Sequence, residues 1–243
     1  MKKMLLVEAK LYLREWPFLM FPVVLPLALL VVLGLSIPGM NEAGADGQRY
    51  VDAQWPSLMA LLALLTLVCN VLPAVLTTYR EQGVLRRMST TPVSPTRLLV
   101  VQLVINLVIA VAATAILIGG AMLAFGAAAP RQWVTFVLVF LLGTAALMAM
   151  GLVIAALAPN GKAASGIGSV VMFPLMFVAG MWLPRDAMPD ALRTVSDFSV
   201  AGPFAQALKD AWAGHAPQPL HLIVLAAGLV VFGGLAARLF RWE

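Results

Sequence analysis

Six long runs of apolar residues, separated by short polar or charged stretches, set the rhythm of this chain. They fall at about residues 17–37, 56–79, 97–125, 132–158, 163–183 and 219–238. Each is at or near the roughly 20 residues a helix needs to cross the hydrocarbon core of a bilayer. None has the alternating pattern of a barrel strand. A backbone in lipid must satisfy its own hydrogen bonds, which leaves helices as the reading. The pattern predicts an all-α integral membrane protein of six transmembrane helices, one membrane domain over residues 1–243.

The stretches between the runs carry further elements. In the first sixteen residues Lys3, Lys10 and Arg14 share one helical stripe and Leu5, Tyr12 and Trp16 another, although Val7 and Leu11 cross it. That arrangement predicts an interfacial helix along the headgroups. Pro17, Pro22 and Pro26 favour a break before the first span, since each removes a helical donor. On the far side, Pro184-Arg185-Asp186 ends the fifth span, and a short helix is expected over Asp190 to Phe198. Gly202-Pro203 then opens another helix, with Pro203 at its first position. Phe204, Leu208, Ala211 and Trp212 give it an apolar face. Such a helix is expected to dip back into the bundle as an outer re-entrant element, the alternative being that it lies flat on the outer leaflet.

Composition agrees. Hydrophobic residues make up 62% of the chain and charged residues 11%, where soluble domains carry about 25% charged residues. The net charge of +5 does not point to nucleic acid, because the charges cluster at the ends of the apolar runs. With both termini placed in the cytoplasm, eleven Lys and Arg residues fall inside and five outside, and the acids divide four to seven. This is the positive-inside distribution of a multi-pass protein of a cell membrane. The start Met-Lys-Lys resembles a signal peptide, but Glu8, Lys10, Arg14 and Glu15 interrupt the apolar region, so the segment is read as retained. The single cysteine, Cys69, lies within a span and excludes a disulfide inside one chain.

No catalytic residue can be proposed. A phosphate-binding Gly-x-x-x-x-Gly-Lys-Ser/Thr loop is absent, and no cluster has metal-ligand spacing. No span places a charged residue near its centre. Ion-driven transporters usually keep such residues to bind the coupling ion, although backbone carbonyls can hold Na⁺ without them. A protein that moves cargo with neither kind of site must receive its energy from a partner.

Among the polar groups inside the spans, Asn70, Gln102 and Asn106 are the foremost interior candidates, which could bond between helices or touch cargo. Met172, Phe173, Met176, Phe177 and Met181 form a stripe that could either pack or line an adaptable apolar path. Ala164 and Gly168, with Ser165 and Ser169, place small residues four apart, a spacing that permits close helix contact.

The most distinctive stretch follows the second span. Gly83 can end the preceding helix with a positive φ. Val84, Leu85 and Met88 could then form one side of a very short coupling helix, with Arg86 and Arg87 on another, until Thr91-Pro92 stops it. Ser94 and Pro95 cap and begin the next helix. An apolar face with a charged rim is the anatomy of a docking surface.

Arg80-Glu81-Gln82-Gly83-Val84-Leu85-Arg86-Arg87-Met88, followed by Thr91-Pro92, resembles the Arg-Glu-x-Gly-Thr-Leu-x-x-Leu-x-x-x-Pro signature of type-two ABC exporter permeases. Val84 stands where Thr is usual and Met88 where Leu is usual. Phe173-Pro174 through Gly180, Leu183-Pro184, Met188-Pro189 and Gly202-Pro203 are similar to the same family's fifth-span end and outer re-entrant segment.

The resemblance implies two permease chains paired in the membrane, alike or different, each docking one cytoplasmic ATPase that binds ATP and Mg. It implies an ATPase-docking role for Glu81, Gly83, Leu85, Arg86, Arg87, Met88 and Pro92. It also places the permease–permease interface near the first and fifth spans, at Ala164, Ser165, Gly168 and Ser169. Asn70, Asn106, Met172, Phe173, Met176 and Phe177 are the candidate substrate path. The expected function is export of an amphipathic or hydrophobic molecule (a drug, antibiotic, lipid or lipid-linked compound) from a bacterial inner membrane. The alternatives are an ion-coupled transporter or channel, and a non-transporting membrane anchor.

Overall fold

The computed structural model of the protein describes residues 2–14, 16–42, 49–84 and 95–239. Its described residues form helices and connecting turns, with no β-strand among them. In chain order the α-helices are α1 (Lys2–Arg14), α2 (Trp16–Ser36), α3 (Gln54–Thr66), α4 (Leu72–Glu81), α5 (Pro95–Phe125), α6 (Trp133–Leu157) and α7 (Gly161–Val178). They are followed by α8 (Asp190–Phe198), α9 (Ala201–Ala213) and α10 (Pro219–Leu239).

A π-turn, Leu67–Val71, joins α3 to α4, so the two form one rod from Gln54 to Glu81. Among the described residues, five rods are long and apolar enough to cross a membrane: α3–α4, α5, α6, α7 and α10. The first apolar run contributes a shorter stretch, Met20–Ser36 of α2. This is a multi-pass helical membrane protein. Pro22 and Pro26 lie inside α2 and do not interrupt it, since proline is tolerated in spanning helices whose neighbours re-satisfy the freed carbonyls.

The α3–α4 rod lies at the centre. Every residue of α3 from Trp55 to Thr66 is buried, and α2, α5, α7 and α9 pack around it. The perimeter belongs to α7 and α10, whose exposed Val170, Phe173, Ile223 and Val230 face outward. In lipid, apolar side chains on an outer face are at no disadvantage, and association rests on close packing instead. Helix ends follow local chemistry. Asn160 caps α7 by accepting from the Ala163 N–H at 2.7 Å, and Gly214 ends α9 at φ +92°.

α8 covers the span expected for it. α9 begins at Ala201, two residues before the proline expected to open it, because Ser199 Oγ already accepts from the Gly202 N–H at 3.0 Å. α9 sinks into the bundle among α3, α6 and α10, with Phe204, Leu208 and Ala211 fully buried. Phe204 rests on the bare Cα of Gly143: a Cβ there would lie 1.9 Å from the ring. Trp212 stands edge-on to Phe136 at 5.5 Å and donates its indole N–H to the Ala128 carbonyl at 2.9 Å. The apolar face read from the sequence is therefore a core face.

α1 uses the expected stripes where they are described: Tyr12 is buried and Leu5 packs on the core, while Lys10 and Arg14 are exposed. Glu8 joins the inward face, and Leu6, Val7 and Leu11 are exposed. On α5, Gln102 and Asn106 are spaced four apart, as Glu8 and Tyr12 are on α1, and the two pairs meet as a ladder. Gln102 donates to Glu8 at 2.8 Å, Tyr12 donates to Gln102 at 2.9 Å, and the Asn106 amide donates to the Tyr12 oxygen at 3.2 Å. Side chains four apart share a helix face, so satisfying this ladder rolls the aliphatic side of α1 outward.

Candidate transport groove and docking segment

A groove of about 600 Å³ opens between α2, the α3–π-turn segment and α7. Phe21 and Leu25 of α2, Leu62 and Thr66 of α3, and Met172, Phe173 and Met176 of α7 line it. Its walls are almost entirely apolar. The hydroxyl and amide exceptions are Thr66 on α3, Asn70 on the π-turn, and Ser165 and Ser169 on α7. The Ser169 hydroxyl is shared between Asn70 Oδ1 at 3.0 Å and the Ser165 carbonyl at 2.9 Å, and the Asn70 amide faces Met172 Sδ at 3.7 Å. A second cavity, about 480 Å³, shares Leu29 and Trp182 with the first and continues to Ile37, Gly39 and Tyr50. The two make an apolar route from mid-bundle toward the end where α2 finishes. An apolar pocket with a few convergent polar groups is the ordinary form of a small-molecule site.

Of the residues expected on a substrate path, Asn70, Met172, Phe173 and Met176 line this groove. Phe177 is exposed one turn further along α7. Asn106 does not reach the groove. It is fully buried on the opposite side of the bundle, in the α1–α5 ladder, because the face it shares with Gln102 points at α1.

The small residues of α7 divide by face. Ala164 and Gly168 are buried inside the chain. Gly168 lies so close to the π-turn that a Cβ would stand 1.7 Å from the Cys69 carbonyl oxygen, and Gly161 packs likewise on Thr78. The close contact their spacing permits is made within this chain, against α4 and the π-turn. Ser165 and Ser169 look into the groove beside the exposed Gly166, Ile167 and Val170.

At the other end of α4, Gly83 adopts φ +64° and turns the chain out of the helix, with its N–H bonded to the Arg80 carbonyl at 3.0 Å. Glu81 is exposed. Leu85, Arg86, Arg87, Met88 and Pro92 lie outside the described residues. Arg80 turns back from the docking segment to donate to the carbonyls of Ala155 and Ala158 at the end of α6, the place where a cation best meets a helix dipole. Tyr79 donates to Glu8 at 2.7 Å. The final turn of α4 is thus tied to α6 by one side chain and to α1 by another.

Three contributors went unread in the sequence: Pro73, Gly151 and Trp182. A proline in mid-span was a readable signal, and it lies two residues past the end of the π-turn. Among the described residues, no group of three His, Cys, Asp or Glu side chains converges as metal ligands would.

Residues 2–210 match the family described as ABC-2 type transporter. The chain belongs to the ABC-2 type transporter family. A Bacillus subtilis (strain 168) protein named "Putative transport permease YvfS" is 24% identical over 233 residues, which covers 96% of this chain and 93% of that one. As an ABC-2 type transporter, the chain is a membrane permease, a transport subunit of a class that works in general with an ABC ATPase partner.

Proposed function

We propose that this permease is the membrane half of an ATP-driven exporter for an amphipathic or hydrophobic molecule such as a drug, antibiotic, lipid or lipid-linked compound. The carrying observation is the groove: about 600 Å³ of mostly apolar wall holding one amide and three hydroxyls. A ligand that is mostly hydrocarbon with one polar group matches such a lining. A hydrated ion would find too few ligands there.

In this reading the chain crosses a bacterial inner membrane six times, with α2 as the first crossing and both termini in the cytoplasm. Two permease chains pair through α2 and the Ser165 and Ser169 face of α7, alike or different in sequence. A cytoplasmic ATPase, which binds the ATP and Mg, docks on residues 80–97. Leu85 and Met88 fill its groove, Arg86, Arg87 and Glu81 form the rim, and Gly83 and Pro92 set the shape.

Co-purification of the permease with its ATPase tests this, comparing wild type with a Glu81/Arg86/Arg87 triple alanine variant. A complex present in the first and lost in the second supports the docking assignment. Wild-type permease that never binds an ATPase and transports only on an ion gradient would make it a secondary transporter. An ATPase complex whose turnover no amphiphile stimulates would make it an anchor.

A further inference from the structure

The π-turn sits where the docking end of the molecule meets the groove. In an unbroken α-helix the ring of Pro73 would press on the carbonyl four residues back, that of Cys69, and would leave it without a donor. One extra residue in the turn relieves the clash: the Leu72 N–H reaches back five residues to Leu67, the defining bond of a π-turn. The price of that widening is a set of backbone carbonyls pushed outward from the rod.

Two glycines on neighbouring helices receive them. A Cβ at Gly168 of α7 would lie 1.7 Å from the Cys69 carbonyl oxygen, and one at Gly151 of α6 would lie 2.4 Å from that of Val68. Alanine fits at neither position without moving the backbone. The rod is therefore gripped from two sides at its one irregular turn, and Asn70, the groove's amide, is carried on that turn. Beyond it, α4 runs straight to Gly83 and the docking segment.

We propose that Pro73, Gly151 and Gly168 are positioning residues. They hold the π-turn as a pivot on which α4 swings as a lever, so that movement at the docking segment breaks or remakes the Asn70–Ser169 hydrogen bond in the groove. This rests on the exporter reading above. α4 is ten residues long, or about 15 Å at the helical rise, and its side chains slide on α7 along Gly161, where no Cβ obstructs them. Pro73 supplies the pivot because it removes the backbone bond that would stiffen that point, and the glycines supply the bearing surfaces.

Cys69 lies within the π-turn, is fully buried, and is the single cysteine of the chain. Its labelling by N-ethylmaleimide, read as a mass shift on its own peptide, reports opening of the Cys69–Gly168 contact. The experiment uses the wild-type permease–ATPase complex in lipid, without nucleotide and with ATP plus vanadate. The pivot predicts that the labelling rate changes by about tenfold or more between the two states, as local opening of a packed turn requires. In Pro73→Ala, which can regain the backbone bond, the nucleotide dependence shrinks while the complex still assembles and hydrolyses ATP. A wild-type complex that hydrolyses ATP with the same Cys69 labelling in both states overturns the pivot and leaves the exporter reading standing. Nucleotide-dependent labelling that survives unchanged in Pro73→Ala removes that residue's role. Absence of any ATPase complex overturns pivot and exporter reading together.

Discussion

The Tyr79 hydroxyl donates a 2.7 Å hydrogen bond to Oε2 of Glu8, joining the last turns of α4 to the middle of α1. The same oxygen accepts from Gln102 of α5 at 2.8 Å. One carboxyl therefore holds three helices at the end of the molecule where the docking segment begins. Glu8→Ala removes the acceptor of both bonds, one of them from the fully buried Gln102. Removing one partner of a buried hydrogen bond costs about 1–3 kcal/mol, and a loss of roughly that size is expected in thermal unfolding of the purified permease. Tyr79→Phe removes one bond and should cost less. Equal stability of Glu8→Ala and wild type would show that the ladder is not what seats α1.

Asn70→Leu removes the groove's amide while keeping its bulk. Hydrogen bonds between spanning helices average about 0.6 kcal/mol, so the variant should remain folded and assembled. A cargo bonded to that amide should need about tenfold more material for half-maximal stimulation of ATP hydrolysis, the factor that about 1.4 kcal/mol represents. An unchanged concentration dependence would take Asn70 off the route.

Gly143→Ala forces a methyl group into the ring of Phe204, which nothing in α6 or α9 leaves room for. Overpacking of this kind costs about 1–3 kcal/mol. The double variant Gly143→Ala/Phe204→Leu should recover part of that loss, since contacting residues are not additive. Unfolding of all three variants, compared as a cycle, measures the coupling; an additive result would contradict the seat described for α9.

Arg49 grips Asp52 through its own backbone N–H at 3.0 Å and its guanidinium at 2.7 Å, and also donates to the Phe125 carbonyl at 3.1 Å. Burial opposes ionisation of Asp52, but the hydrogen bonds and charge of Arg49 outweigh it and hold the carboxyl below its usual range. A depressed carboxyl pKa adds stability above the unfolded value of about 3.9, and that stability is lost as pH falls through the folded value. Wild type should therefore lose more stability than Asp52→Asn when acidified below about pH 4, as read by thermal unfolding at a series of pH values. Parallel pH profiles would assign the loop no such role.

Much of the fold was legible because a spanning helix announces itself by length and hydropathy alone. α8 and the buried face of α9 could be read as well, since Phe204, Leu208, Ala211 and Trp212 repeat at helical spacing in an otherwise polar loop. On α1 the inward Leu5 and Tyr12 and the exposed Lys10 and Arg14 were legible, but the inward place of Glu8 was not. Beside lipid Leu6, Val7 and Leu11 can face out, and the polar ladder draws Glu8 in. The partner of Ala164 and Gly168 was equally hidden, because a small-residue spacing is the same whether the opposing helix belongs to this chain or another. Asn106 looked like Asn70 in the sequence: each is an amide in an apolar run, and only the rotation of the helix separates a groove wall from a buried strut. At the docking segment the structure adds the Gly83 turn and the exposed Glu81, with Leu85 through Pro92 beyond what it describes.

The groove has three walls in this chain and a fourth side open at Phe21, Phe173 and Trp182, all standing on the molecule's outer flank. Whatever closes that side in a membrane, an acyl tail or a neighbouring protein, becomes part of the groove's wall. Cargo would then enter and leave sideways, and the surrounding lipid would set its affinity as much as any residue named here. Solubilising the permease puts a detergent tail in the same place, so detergent becomes a competing ligand whose chain length belongs among the variables of every binding curve.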